Sequence, residues 1–158
     1  MSNNFQEALN IIRITAKNEV EKGAAFEKLC KIFFENDAIQ KQQFSKVWFY
    51  KDWAKENPNF SKIDIGIDLV AKLRHEPGFC AIQAKCYNSE HFITKEDLDS
   101  FISASSNEIF SRLILIDTST QDLSTNAKSV IENLNKIYQR IQISELQQTR
   151  IDWLIYIK

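Results

Sequence analysis

Histidine is nearly missing from this chain of 158 residues, with two copies, and cysteine occurs three times, an odd number with neither CxxC nor Cys/His zinc spacing. A zinc centre or a histidine-based triad is therefore poorly supplied, and the thiols read as reduced side chains of a cytosolic protein rather than a disulfide frame. Long apolar runs are also lacking. No stretch approaches the ~20 residues of a membrane span, and the start MSNNFQEALN has no basic region followed by an apolar one. The expected location is cytoplasmic. Nor is there an excess of either charge, since 20 Lys and Arg stand against 21 Asp and Glu. A polyanionic or membrane partner would have to be held by a local patch, not by a global field. No repeat, low-complexity run or internal linker divides the chain. Its length suits one domain, 1–158, burying roughly 70% of the surface the unfolded chain exposes.

What is present is periodic. From Asn4 to about Glu35, Phe5, Leu9, Ile12, Ala16, Val20, Phe26, Leu29, Cys30 and Phe33 recur at steps suited to one long amphipathic helix, or two joined near Gly23. FSKVWFY (44–50) reads as a strand, and the polar segment 51–62 as a loop. In IDIGIDLVAKL (63–73) the period of two predicts an apolar face of Ile63, Ile65, Ile67 and Leu69, with Asp64, Gly66 and Asp68 on the other. After the breaker HEPG, FCAIQAKCY (79–87) reads as the return strand of a hairpin. Thr94 followed by Asp97 resembles a capping box and starts a helix carrying Leu98, Phe101 and Ile102. RLILIDTS (112–119) has the continuous apolar character of an interior strand. Ser124 or Thr125 caps a helix whose buried face is expected to hold Ala127, Val130, Ile131, Leu134 and Ile137. IQIS (141–144) supplies a fifth strand, and ELQQTRIDWLIYIK a last amphipathic segment. This order implies an α/β fold with a mixed sheet of about five strands flanked by helices.

The hairpin gathers the chemistry. Gln83 and Lys85 share one face of their strand, and a turn within Arg74–Gly78 sets Asp68 opposite or diagonal to them. A carboxylate, an amide oxygen and a lysine on one patch suit a hard divalent cation such as Mg²⁺, with the lysine placed to orient a water for attack on phosphorus. The same residues also fit an ordinary solvated cross-strand pair.

GIDLVA, a short connection and AIQAKCY resemble the PD-(D/E)xK nuclease superfamily in its Mrr-like branch. The wider string, with DLDSFISAS, RLILIDTS, LSTNA and IDW, resembles the amino-terminal nuclease domain of type ISP restriction-modification enzymes. The resemblance implies a restriction-endonuclease-like core and Mg²⁺-dependent hydrolysis of duplex DNA, Mn²⁺ being able to substitute. It assigns the metal to Asp68, Gln83 and the Ala84 carbonyl and the catalytic lysine role to Lys85. GAAFEKLCKIFF matches the first-helix pattern, in which Glu27 can add a ligand. Gln83 offers a neutral amide where many members have a carboxylate. The resemblance further implies covalently linked helicase and methyltransferase domains, so that the chain is expected to be part of a larger enzyme. A stand-alone Mrr-like or junction-resolving nuclease, or a catalytically silent DNA-binding or docking module, remains an alternative.

Other residues have two readings each. Glu27 could instead pair with Lys31 along its helix. Asp64 could support the site or only set the start of its strand. Lys62, Lys72, Arg74 and Lys95 could meet phosphates or be surface charges. Trp48, Tyr50 and Trp53 could stack on bases or fill the core. Cys80 and Cys86 share a face with Ile82 and Ala84, which places them in the interior. His75 and His91 fall in loops.

Overall fold

The computed structural model describes residues 3–60 and 66–157. The amino-terminal helical pattern divides into α1 (Phe5–Thr15) and α2 (Glu19–Asn36). The break lies ahead of Asn18, not near Gly23: Asn18 is extended and its side chain accepts from the Glu21 N–H, so a new helix starts there with its own cap. A Cβ on Gly23 would meet nothing within 4 Å, which leaves this glycine no part in seating the helix. Val20 is 82% exposed, and the buried stripe of α2 begins only at Phe26.

Then follow α3 (Ala38–Gln43), β1 (Phe44–Phe49), α4 (Tyr50–Glu56), β2 (Leu69–Leu73), β3 (Phe79–Lys85), α5 (Lys95–Ala104), β4 (Phe110–Asp117), α6 (Thr125–Glu132), β5 (Ile137–Ile141) and α7 (Ile143–Gln147), closed by a 3₁₀ turn at Trp153–Tyr156. The five strands lie in chain order across one sheet. β1 and β3 flank β2 antiparallel, and β4 and β5 add in parallel after helical crossovers. This is the mixed α/β sheet expected.

Three local expectations fail for identifiable reasons. The segment after β1 contains the helix α4, because Tyr50, Trp53 and Ala54 supply a buried i, i+3, i+4 stripe within a polar stretch. The last strand comes earlier than 141–144: Asn135, at φ 55, turns the chain sharply after α6, and Ile137 begins an edge strand where it is 60% exposed. Of the strand expected over 63–73, the described residues Gly66, Ile67 and Asp68 precede β2, which runs Leu69–Leu73, and Ile63, Asp64 and Ile65, with Lys62, lie outside the described residues. Ile67 packs with Val70 and Trp53 while Leu69, Ala71 and Leu73 face the α2 side, so Ile67 and Leu69 do not share a face.

One apolar layer sits between α1, α2 and the sheet, a second between the sheet and α4 with α5, and a third, smaller one joins α5 to α6. The two chain ends are clasped together. Asn3 Nδ2 donates to the Leu146 and Thr149 carbonyls, both at 2.9 Å, and Asn4 Oδ1 accepts from the Trp153 N–H at 2.9 Å. The Phe5 and Trp153 rings meet edge to face with centroids 5.0 Å apart.

Candidate functional site

The β2–β3 ladder runs regularly to the pair Leu69 and Ile82, and then opens. The Asp68 N–H still donates to the Ile82 carbonyl at 3.0 Å, but the Ala84 N–H is met by the Asp68 carboxylate, with Oδ2 at 2.8 Å. A side-chain oxygen thus takes over from a ladder carbonyl and fixes the carboxylate at the fork between the strands. The Asp68 carbonyl accepts from the Tyr50 N–H at 2.9 Å, so the start of α4 holds the same residue from its other side.

Gln83 is 3% exposed, and its Nε2 donates to the Gly66 carbonyl at 3.4 Å. Its Oε1 is buried without a hydrogen-bond partner. Gln40 Oε1, Ser111 Oγ, the Tyr138 hydroxyl and the indole N–H groups of Trp53 and Trp153 share that condition, but none of them lines the open cleft that Gln83 shares with Asp68 and Lys85. This cleft holds about 790 Å³ and has Asp99 and Ser100 of α5 on its opposite wall. The structure therefore brings Asp68, Gln83 and Lys85 together as the hairpin geometry predicts, with Ala84 tied to Asp68 through its backbone.

Glu27 meets the cleft indirectly, through a neighbouring space. It and Asp68 line a separate cavity of about 300 Å³ beside Tyr50, so Asp68 forms part of the wall of both spaces. Burial, then the nearby Asp68 charge and, further down, that of Glu27 push the Cys30 thiol upward, which keeps it protonated beneath the site. The alternative partner of Glu27 is engaged otherwise: Lys31 pairs with Glu35 at 2.8 Å.

Among the described residues, no three His, Cys, Asp or Glu side chains come together as a metal-holding group. A thiolate- or imidazole-rich ion does not fit. The oxygen set does suit a hard cation that takes one or two carboxylates and completes its shell with amide, carbonyl and water oxygens. The unpartnered Gln83 Oε1 beside the anchored Asp68 carboxylate is the feature that favours such an ion.

Tyr87 also lines the cleft; it ends the AIQAKCY stretch and continues the alternation of Gln83 and Lys85, but has no role assigned from the sequence. Burial, followed by the Asp97, Asp117 and Asp68 charges, raises its phenol, which stays a protonated donor. Its ring stacks on His91, centroids 4.1 Å apart, and His91 Nε2 meets Asp97 Oδ2 at 2.9 Å. Basic side chains gather in an unforeseen place: Arg13, Lys17 and Lys22, the last paired with Glu19 at 2.9 Å, surround a cleft of about 520 Å³ with Glu19, Asn88 and Ser89, a few residues beyond Lys85. Arg13 is positioned there by donating to the Tyr87 carbonyl at 2.8 Å. No local spacing could show this, since α1 and α2 are remote in sequence from the β3 end.

Of the cations noted from sequence, Arg74 spends its guanidinium on the Lys41 and Phe44 carbonyls and Lys95 pairs with Asp99 at 3.1 Å. Lys72 is exposed. Trp53 and Tyr50 are core residues, and the Trp48 indole donates to Glu56 at 2.7 Å. Cys80 is buried and Cys86 half-buried. His75 is exposed, its ring nitrogen 2.9 Å from the Gln42 carbonyl.

A restriction endonuclease family model matches residues 35–158, which include Asp68, Gln83, Ala84 and Lys85 and exclude Glu27. Among solved structures, the chain is similar to the ATP-dependent type ISP restriction-modification enzyme LlaBIII bound to DNA, with 25% identity and a TM-score of 0.71. That alignment covers 95% of this chain and 9% of LlaBIII, so the chain spans under a tenth of its relative. The MspJI restriction endonuclease in complex with a 27-mer oligonucleotide aligns at 13% identity and a TM-score of 0.48, over 96% of this chain and 31% of that one. No curated protein matches. No helix among the described residues is long and apolar enough to cross a membrane.

Proposed function

The chain belongs to the restriction endonuclease family, and from that premise we propose that it hydrolyses phosphodiester bonds of double-stranded DNA by the PD-(D/E)xK chemistry, with Mg²⁺, or Mn²⁺ in its place, held at Asp68. The observation that carries this reading is the Asp68 carboxylate anchored at the strand fork in one cleft with Gln83 and Lys85. Asp68, Gln83 Oε1 and the Ala84 carbonyl would hold the cation, with Glu27 contributing from the adjoining cavity. When bound, the cation supplies Lewis-acid stabilisation of charge gathering on the phosphate oxygens. Lys85 Nζ orients the attacking water toward phosphorus. Attack forms one P–O bond and breaks the ester P–O bond, and the leaving oxygen takes up a proton. Tyr87, a neutral donor that lines the same cleft, would hydrogen-bond a phosphate oxygen.

With a net charge of −1, affinity for DNA must come locally. The cleft of Arg13, Lys17 and Lys22, in which three cations outnumber the one carboxylate of Glu19, would supply that patch near the end of β3, and neighbouring phosphates of the cleaved strand would rest there. Such contacts position DNA without reading its sequence. We place site selection, with helicase and methyltransferase activities, in further domains of a larger enzyme, of which this domain is the nuclease.

The test uses metal-stripped protein and supercoiled plasmid. Wild type should nick on addition of Mg²⁺ or Mn²⁺, and Asp68→Ala should not; because that variant also deprives the Ala84 N–H of its partner, circular dichroism checks its fold, and Asp68→Asn, which keeps an oxygen for that N–H, should be inactive as well. Nicking by Asp68→Ala at the wild-type rate would reject this site. DNA binding by wild type without any cleavage would make the domain a silent docking module instead.

A further inference from the structure

Gly66 sits at φ +100, in the region that favours glycine, and a Cβ there would lie 2.6 Å from the Ser100 carbonyl carbon and 2.9 Å from the Phe101 nitrogen. The backbone of α5 therefore packs directly on this residue. The carbonyl of this closely packed residue meets Gln83 Nε2 at 3.4 Å. A carbonyl oxygen can only accept, so the amide nitrogen must face it and Oε1 must point the other way.

We propose that Gly66 is a positioning residue that makes glutamine, and not an acid, the working side chain at position 83: its carbonyl holds the amide nitrogen and leaves Oε1 as the oxygen ligand. The inference rests on the reading above that Gln83 serves a cation site. A glutamate at 83 would set one carboxylate oxygen against the Gly66 oxygen, with no proton between them. Added negative charge should tighten a cation by Coulomb attraction alone, whereas the Gly66 carbonyl makes the substitution unfavourable. The two effects have opposite signs.

Calorimetric titration of Mn²⁺ into the protein without DNA separates them. Wild type should bind, and Asp68→Ala and Gln83→Ala should bind much more weakly. Gln83→Glu, nearly the same size and shape, should lose about tenfold in affinity, the lower end of what an outer partner of a metal ligand contributes. Equal or tighter binding by Gln83→Glu, with Asp68→Ala and Gln83→Ala both impaired, would overturn the role of Gly66 and leave the cation site standing. Binding indifferent to both alanine substitutions, or no binding by wild type, would remove the cation site and this inference with it. Gly66→Ala should also lose affinity; if circular dichroism shows it unfolded, the Gln83→Glu titration decides the matter alone.

Discussion

Gln83 on β3 and Asp117 at the end of β4 are both buried polar side chains on adjacent strands, and their surroundings differ completely. Asp117 is fully buried and saturated: Arg140 donates from Nε at 2.9 Å and from a terminal nitrogen at 3.0 Å, and the Ser119 N–H donates at 2.9 Å. Burial would lower the Arg140 guanidinium, but the hydrogen bonds and charge of Asp117 outweigh it and raise it. Gln83 has one long bond and an oxygen with none. Parallel pairing aligns Lys85 with Asp117, so the two arrangements are a single strand apart at the same end of the sheet. A saturated polar group holds a fold together, and an unsatisfied one beside an open cleft is available to a ligand.

If that division is right, substitutions on the two sides should fail in different ways. Lys85→Ala should reduce plasmid nicking by about 10²–10⁴-fold, the usual weight of a proton-handling side chain, while Mn²⁺ titrates as in wild type. Loss of metal affinity together with cleavage would show Lys85 to be part of the cation site. Arg140→Met strands a buried carboxylate and should lower the unfolding free energy by about 3–5 kcal/mol. Its nicking rate per folded molecule, measured well below the melting point, should stay near wild type; a stable but inactive Arg140→Met would place the pair in the chemistry.

Smaller effects test the surroundings. Lys17→Ala with Lys22→Ala should weaken DNA binding in Ca²⁺ uniformly across sequences, and flatten the dependence of log affinity on log salt by about 0.9 for each phosphate no longer neutralised. An unchanged slope would take the DNA path away from that cleft. The smallest change is expected at Asp97, whose carboxylate completes the α5 capping box with Thr94. Burial pushes this carboxyl up, but the Thr94 N–H, the His91 ring and the Thr94 hydroxyl together hold it below its ordinary 3.8. A depressed folded value means stability that is present above that ordinary value and is lost as pH falls through the folded one. Asp97→Asn should therefore cost about 0.5–1 kcal/mol near neutrality, and thermal melts should show the difference from wild type shrinking in acid.

Much of this arrangement is legible in the sequence because it is local. The Asp68, Gln83 and Lys85 grouping follows from the period of a strand and a short turn, and the Thr94–Asp97 box from a fixed spacing. α4 stays hidden since only Tyr50, Trp53 and Ala54 mark it among charged residues. The packing of Gly66 on Ser100, and the meeting of Arg13 with Tyr87, depend on how α5 and α1 dock against the sheet. Such approaches join residues far apart in the chain, where pattern has nothing to say.

The clasp of Asn3 and Asn4 onto the stretch from Leu146 to Trp153 joins positions more than 140 residues apart. Closing so wide a loop carries an entropic cost that local pairing does not. α1 should accordingly dock late on the folding pathway, after the sheet has assembled. Loosening the clasp, for example by Asn4→Ala, should then hasten unfolding and leave the refolding rate nearly untouched, so the lifetime of the native state is set at the seam between the chain's two ends.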